Sequence, residues 1–177
     1  MVRPEAAGMV TPTAHLSASE LAEVRALCDL SYRAYNDDAW DHALGGLHAR
    51  VRVDGVLVAH AAVVLRRLLL EDRWLRCGWV ESVAVHPEHR RRGLGHAVMG
   101  AIEELTPGYD LLGLTSSEDG LALYESRVWS RWRGPAFALT PEGMRPAPGI
   151  ETIHVWADRQ LDLDAPIACD WREGHVW

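Results

Sequence analysis

The amino-acid sequence predicts a mixed α/β (α+β) sandwich, and three features carry that prediction. The run from Trp74 to Val85 is long and almost uninterrupted in its apolar character, as a strand in the middle of a sheet is. A helical pattern from about Gly93 to Leu105 separates it from a short buried strand, Tyr109 to Thr115, so those two strands run parallel through a crossover. Two further strands, Arg50 to Val53 and Val56 to Leu65, meet at Asp54-Gly55, a strong hairpin signal that adds antiparallel pairing to the same sheet.

The remaining elements follow in order. Ser19 reads as an N-cap, followed by Glu20 and by apolar residues at Leu21, Val24, Leu27, Cys28 and Leu30, which predicts a helix to about Tyr35. Asn36-Asp37-Asp38 reads as a polar turn. Pro107-Gly108 ends the helix that begins near Gly93, and a second helix is expected from Asp119 to about Arg127. Strand-like pieces near Pro135 to Leu139 and Thr152 to Trp156 complete a β-rich remainder. With no repeat, low-complexity tract or linker, residues 1–177 are expected to form a single domain.

Composition removes several function classes. Of the 177 residues, 25 are acidic against 18 basic, giving a net charge of -7, and every base is an arginine. A nucleic-acid or anionic-membrane partner, which needs a basic excess, is not expected, and without lysine there is no Schiff-base chemistry. Cys28, Cys77 and Cys169 are odd in number and in no CxxC pattern, so neither a disulfide framework nor a zinc site is suggested, and a cytoplasmic location is expected. The first residues, Met1 to Pro12, hold no apolar run of the signal-peptide kind, and Arg66 and Arg67 interrupt the best candidate for a membrane span. The nine histidines form no ligand-spaced cluster, so no metal is expected.

The sharpest local feature is the stretch from Val83 to His96, VAVHPEHRRRGLGH, in which a strand feeds a turn and the turn feeds a helix. Two glycines let the backbone pass close to a ligand, and the first turn of the helix offers unpaired N–H groups at the positive end of its dipole. Arg90, Arg91 and Arg92 add donors matched to phosphate oxygens. An arginine run opposes the dipole of the helix it precedes, so a bound anion would relieve the site. The spacing is neither a Walker loop nor GxGxxG.

The pattern, Arg-x-x-Gly-x-Gly at Arg90, Gly93 and Gly95, resembles the pyrophosphate loop of the GNAT superfamily of acetyl-CoA-dependent N-acetyltransferases. Within it, the segments WDHALGGLHA (40–49), AHAAVVLRRL (59–68), RCGWVESVAV (76–85), LYESRVW (123–129) and CDWREGHVW (169–177) look like the aminoglycoside 2'-N-acetyltransferases. The resemblance implies the GNAT fold, with a mixed sheet of about six to seven strands flanked by helices, and acetyl-CoA as co-substrate. It also implies a homodimer.

The same resemblance assigns roles. Glu81 matches the glutamate that, through water, takes the proton from the substrate ammonium before attack on the thioester, and a carboxylate at the edge of an apolar strand suits a general base. The bland alternative pairs it with a nearby arginine. Val83, Ala84 and Val85 are placed by the resemblance along the pantetheine arm, with their backbone polarising the thioester carbonyl, and Arg90, Arg91, Arg92, Gly93, Leu94, Gly95 and His96 are placed around the pyrophosphate. Tyr124 matches the tyrosine that protonates the leaving thiolate, a feasible transfer because a phenol ordinarily titrates near 10 and a thiol near 8.5. Tyr124 is otherwise a half-buried helix residue.

For the acceptor, the candidate contacts are Asn36, Asp37, Asp38, Glu81, Ser82, Thr115, Ser116, Glu151, His175 and Trp177. The hydroxyls of Thr115 to Ser117 either cap the following helix or face the acceptor and pantetheine. Three departures from the family make the site less acidic than a polycation needs: Ala39 before Trp40, His175 near the end, and Pro148-Gly149-Ile150 in place of an acidic stretch. The expected acceptor therefore carries fewer amines than tobramycin, and kasugamycin, with one amino sugar and its own carboxylate, fits that description. Two alternatives stand beside this reading: acetylation of another cellular amine or amino sugar, and a non-catalytic acyl-CoA-binding module.

Overall fold

The computed structural model describes residues 5–147 and 152–177, and the chain divides into two compact units, one made of residues 1–64 and 80–105 and the other of 65–79 and 106–177. Among the described residues the strands are β1 (Glu5–Pro12), β2 (Leu47–Val53), β3 (Val56–Leu70), β4 (Arg73–Val85), β5 (Leu111–Thr115), β6 (Ser130–Arg131), β7 (Ala136–Thr140), β8 (Gly143–Pro146), β9 (Ile153–Trp156) and β10 (Ile167–Cys169). The helices are α1 (Ala18–Ser31), α2 (Asp37–Ala43), α3 (Leu94–Glu103) and α4 (Leu121–Glu125). Strands β3 and β4 contribute residues to both units.

In the first unit, β1 pairs antiparallel with β2 and β2 with β3, with Leu47 opposite Val63 and Val53 opposite Val56. The β2–β3 turn is the expected Asp54-Gly55, whose φ values of 50° and 80° are both left-handed, as the favoured two-residue hairpin turn requires. Helix α1 buries Val24, Leu27 and Cys28 against Leu57 of β3 and Ala84 of β4, with Tyr32, Tyr35 and Trp40 packed around them. Each aliphatic side chain fully buried there stabilises the fold by roughly 1.5–3 kcal/mol. Helix α3 buries Leu94, Val98, Met99, Ala101 and Ile102, a stripe at helical spacing, and packs on β1 and β2.

In the second unit the strand order is β6-β9-β5-β4-β3-β10-β7-β8. The predicted crossover is present: β4 and β5 are parallel, with Cys77 opposite Leu111 and Trp79 opposite Gly113. Strand β10 is parallel to β7 and antiparallel to β3. The arginine that breaks the apolar run of β3, Arg66, is buried in an ion pair: its Nε and Nη2 donate to Oδ1 and the carbonyl of Asp170, both at 2.8 Å, and its guanidinium lies 5.4 Å from the Trp79 ring centre.

Several expectations are corrected. The N-cap of α1 is Ser17, not Ser19: the Ser17 hydroxyl accepts from the Glu20 amide and the Glu20 carboxylate accepts from the Ser17 amide at 2.8 Å, a capping box. The helix ends at Ser31, and Asn36-Asp37-Asp38 opens α2 rather than forming a free turn. There are ten strands among the described residues, not six to seven. Strands β6, β8 and β10 are too short to show a periodicity, and β1 has too few large apolar residues to read as a strand.

Candidate active site

The site begins where β4 runs out of the core. Glu81 is half-buried there, and the next residue, buried Ser82, has φ +52°, a left-handed setting that a non-glycine side chain adopts only when its surroundings hold it. The Ser82 hydroxyl lies 2.5 Å from the Tyr35 phenol oxygen. The Tyr32 hydroxyl donates to the Val83 carbonyl at 2.7 Å, and Ser31 Oγ donates to the Val85 carbonyl at 3.3 Å. The C-terminal end of α1 and the segment after it therefore fix the polypeptide from Ser82 to Val85.

Beyond β4 the His86 amide donates to the Val58 carbonyl at 2.9 Å, and a short 3-10 turn, Pro87–His89, leads into the arginines. Arg90 is tied to its own scaffold, donating to the Ser31 carbonyl at 3.0 Å and to the Val85 carbonyl at 3.4 Å. Arg91 and Arg92 are exposed. Arg91 at φ +61° and Gly93 at φ +79° turn the chain so that Gly93 becomes the N-cap of α3 without any side-chain cap. With no side-chain cap at Gly93, the opening turn of α3 presents its first backbone N–H groups at the positive end of the helix dipole, which is the chemistry an anion site needs. A Cβ added at Gly93 would meet nothing within 4 Å, so the glycine is there for its conformation rather than for space.

Near the N-terminal end of α2, the Asn36 side chain accepts from the Ala39 amide at 2.8 Å and so caps the helix. Asp37 is ion-paired to Arg25 at 2.9 Å, and the Arg25 guanidinium also bonds Asp29 and stacks 5.3 Å from the Tyr35 ring centre and 6.0 Å from that of Trp40. Asp38 is exposed.

The other expected site residues lie in the second unit. Tyr124, on α4, is 6% exposed, and burial pushes its phenol up, so it holds its proton throughout the neutral range. Its ring sits 6.1 Å from that of Trp129 and 6.3 Å from that of His154. Thr115 is exposed, whereas Ser116 is buried with its amide bonded to the Thr152 carbonyl at 3.0 Å. His175 is exposed, and its carbonyl accepts from Arg172 Nε at 2.8 Å. Trp177 is buried beside Trp79, ring centres 5.7 Å apart, and its indole N–H has no partner among the described residues. Glu151 and the segment 148–150 lie outside the described residues.

Sequence reasoning passed over Tyr32, Tyr35 and Ser31, whose contacts with β4 join residues far apart in the chain. It also passed over His60, whose Nδ1 lies 2.9 Å from the Ser82 carbonyl oxygen. The signal available for His60 was a lone histidine in the apolar run of β3. Among the described residues no group of three or more His, Cys, Asp or Glu side chains could hold a metal ion, and no helix is long and apolar enough to cross a membrane.

Strand β4 with its left-handed Ser82, the arginine turn and the N-terminal turn of α3 thus follow one another directly along the chain, with the Glu81 carboxylate just before them. Residues 16–127 match the acetyltransferase (GNAT) family. The chain belongs to that family. The acetyltransferase is 46% identical over 150 residues to the aminoglycoside 2'-N-acetyltransferase of Mycolicibacterium fortuitum, a match covering 81% of this chain and 77% of the relative. Among solved structures it resembles a GNAT family acetyltransferase from Brucella melitensis in complex with acetyl-CoA, with a TM-score of 0.59 at 14% identity over 91% of this chain and 94% of the other. It also resembles Eis1 from Mycobacterium abscessus, with a TM-score of 0.59 at 17% identity over 73% of this chain, but spans only 33% of that protein. At such identities these structures establish the fold, which is the α+β GNAT fold with a mixed sheet. The family uses acetyl-CoA as its co-substrate.

Proposed function

We propose that this acetyltransferase transfers the acetyl group of acetyl-CoA to the 2'-amino group of an aminoglycoside-type antibiotic, by direct attack within a ternary complex. The observation that carries the reading is the 46% identity to an aminoglycoside 2'-N-acetyltransferase, maintained over 150 residues. In this mechanism the pyrophosphate sits on the first turn of α3 with Arg91 and Arg92 beside it, and Arg90 braces the turn through the Ser31 and Val85 carbonyls. The backbone of Val83 to Val85 runs along the pantetheine and polarises the thioester carbonyl. Glu81, acting through water, accepts a proton from the substrate ammonium. The freed amine forms a C–N bond at the thioester carbon, the tetrahedral intermediate expels CoA thiolate as the C–S bond breaks, and the Tyr124 phenol gives that thiolate its proton.

The acceptor is proposed to be kasugamycin-like. Ala39 and His175 stand where the resembling family has acids, and Asp37 is ion-paired to Arg25 at 2.9 Å, which lowers the free negative charge near the start of α2. A thiol-release assay with acetyl-CoA tests the proposal. CoA release that depends on added drug, with higher kcat/KM for kasugamycin than for tobramycin, is expected; preference for tobramycin would reverse the acceptor assignment, and release that ignores both drugs would remove the aminoglycoside reading. The same reading holds residues 1–177 to be one acetyltransferase domain that works as a homodimer.

A further inference from the structure

Behind the catalytic strand runs a buried polar chain that the reaction above does not use. Thr13, in the turn after β1, lies 2.7 Å from His48 Nε2 on β2; His48 Nδ1 lies 2.9 Å from His60 Nε2 on β3; and His60 Nδ1 lies 2.9 Å from the carbonyl oxygen of Ser82 on β4. Both imidazoles are fully buried. Their cross-strand partners are Ala62 for His48 and Arg50 for His60, so the two rings are diagonal neighbours across the β2–β3 ladder.

The direction of every bond follows from one end. A carbonyl only accepts, so His60 carries its proton on Nδ1 and leaves Nε2 bare. That nitrogen must accept from His48 Nδ1–H, which leaves His48 Nε2 bare to accept the Thr13 hydroxyl proton at 2.7 Å, closer than the Gly46 carbonyl oxygen, the hydroxyl's other acceptor at 3.2 Å. Thr13 Oγ1 in turn accepts the Gly45 amide at 3.0 Å. Each ring is held neutral and in a single tautomer, and burial works in the same direction.

The chain ends at the left-handed residue beside Glu81. Because the peptide between Ser82 and Val83 is planar, fixing the Ser82 carbonyl toward His60 aims the Val83 N–H the opposite way. The Tyr32 hydroxyl, donating to the Val83 carbonyl, does the same for the next peptide and the Ala84 N–H. We propose that His60, backed by His48 and Thr13, is a positioning residue for acetyl transfer: it holds the Ser82–Val83 peptide so that the Val83 N–H points at the thioester carbonyl. The proposal rests on the reading that the Val83 to Val85 backbone faces the thioester.

Isotope-edited infrared spectroscopy of acetyl-CoA labelled with carbon-13 at the thioester carbonyl, bound to the full-length protein, tests it without any acceptor. The parent should shift the carbonyl stretch to lower frequency than free acetyl-CoA. His60→Leu should lose at least about half of that shift while the dissociation constant for acetyl-CoA stays within about threefold. His60→Asn, whose amide can donate from the position of Nδ1, should retain the shift. An undiminished shift in His60→Leu, or equal loss in the Leu and Asn variants, overturns the proposal. If the parent itself shows no shift, the underlying reading of the β4 backbone fails, and this proposal with it. Should His60→Leu not fold, His48→Leu, which removes the donor that fixes the His60 tautomer, should diminish the shift at unchanged affinity, and an unaltered shift there counts against the proposal.

Discussion

At the level of single residues the proposed mechanism leans most on Glu81, which the resemblance to the aminoglycoside 2'-N-acetyltransferases singled out on the strand that runs into the Arg-x-x-Gly-x-Gly turn. Replacing it by Gln keeps the shape and removes the base. Glu81→Gln should lower kcat by about 10²–10⁴-fold, with acetyl-CoA affinity and melting temperature unchanged; a loss seen only in KM would instead make Glu81 a binding group. The histidine pair makes a second prediction. Burial, with the charge of Arg50 behind it, lowers His48 to about 4, and burial together with the charge of His48 lowers His60 to about 3. Both folded values lie below the ordinary histidine value of about 6.5, so between those limits the unfolded chain binds protons that the folded chain does not. Stability is therefore complete above about pH 6.5 and declines as the pH falls, by up to about 1.4 kcal/mol per pH unit for each ring. Urea titrations from pH 7 to pH 4.5 check this: the double variant His48→Leu/His60→Leu should show a flatter dependence than the parent, and parallel curves would assign the decline to other groups. Neither ring's role was legible beforehand, because the bonds that fix them join the turn after β1 to β2, β3 and β4 across tens of residues.

Among the elements, those with a strong local signal came through. The Asp54-Gly55 hairpin, the long apolar β4 and the amphipathic α3 each follow from composition over a few residues, and each is found within two residues or so of its expected bounds at the end that matters for the site. Strand β3 ran further than expected, to Leu70, because its breaking arginine, Arg66, is buried against Asp170 and Trp79, partners that adjacent sequence does not reveal. Helix α2 was hidden for a different reason. Asn and Asp favour both turns and helix N-termini, and seven residues give too little periodicity to choose between them. The misplaced cap of α1 has the same origin, since Ser17 and Ser19 are both capping residues and only the partnership of Ser17 with Glu20 decides. Ser17→Ala should destabilise the protein by about 1 kcal/mol in urea unfolding, within the usual range for a lost cap, whereas Ser19→Ala should cost less; the reverse order would place the cap elsewhere.

Across the whole molecule, 25 acids outweigh 18 bases, all arginine, for a net charge of -7, and three of those arginines stand together in one turn. That distribution suits the proposed reading of a phosphorylated co-substrate at the turn and a cationic acceptor. The site residues that sequence comparison singled out divide between the two units, with Glu81 and the pyrophosphate turn in one and Tyr124 with Ser116 in the other. The central claim is regiospecific acetyl transfer to an aminoglycoside-type drug. The most direct measurement is to incubate the purified protein with acetyl-CoA and kasugamycin and to locate the acetyl group on the product by NMR. One acetyl group, on the 2'-amino nitrogen and formed in step with CoA release, is the predicted result; an unmodified drug, or acetylation at any other nitrogen, would contradict it.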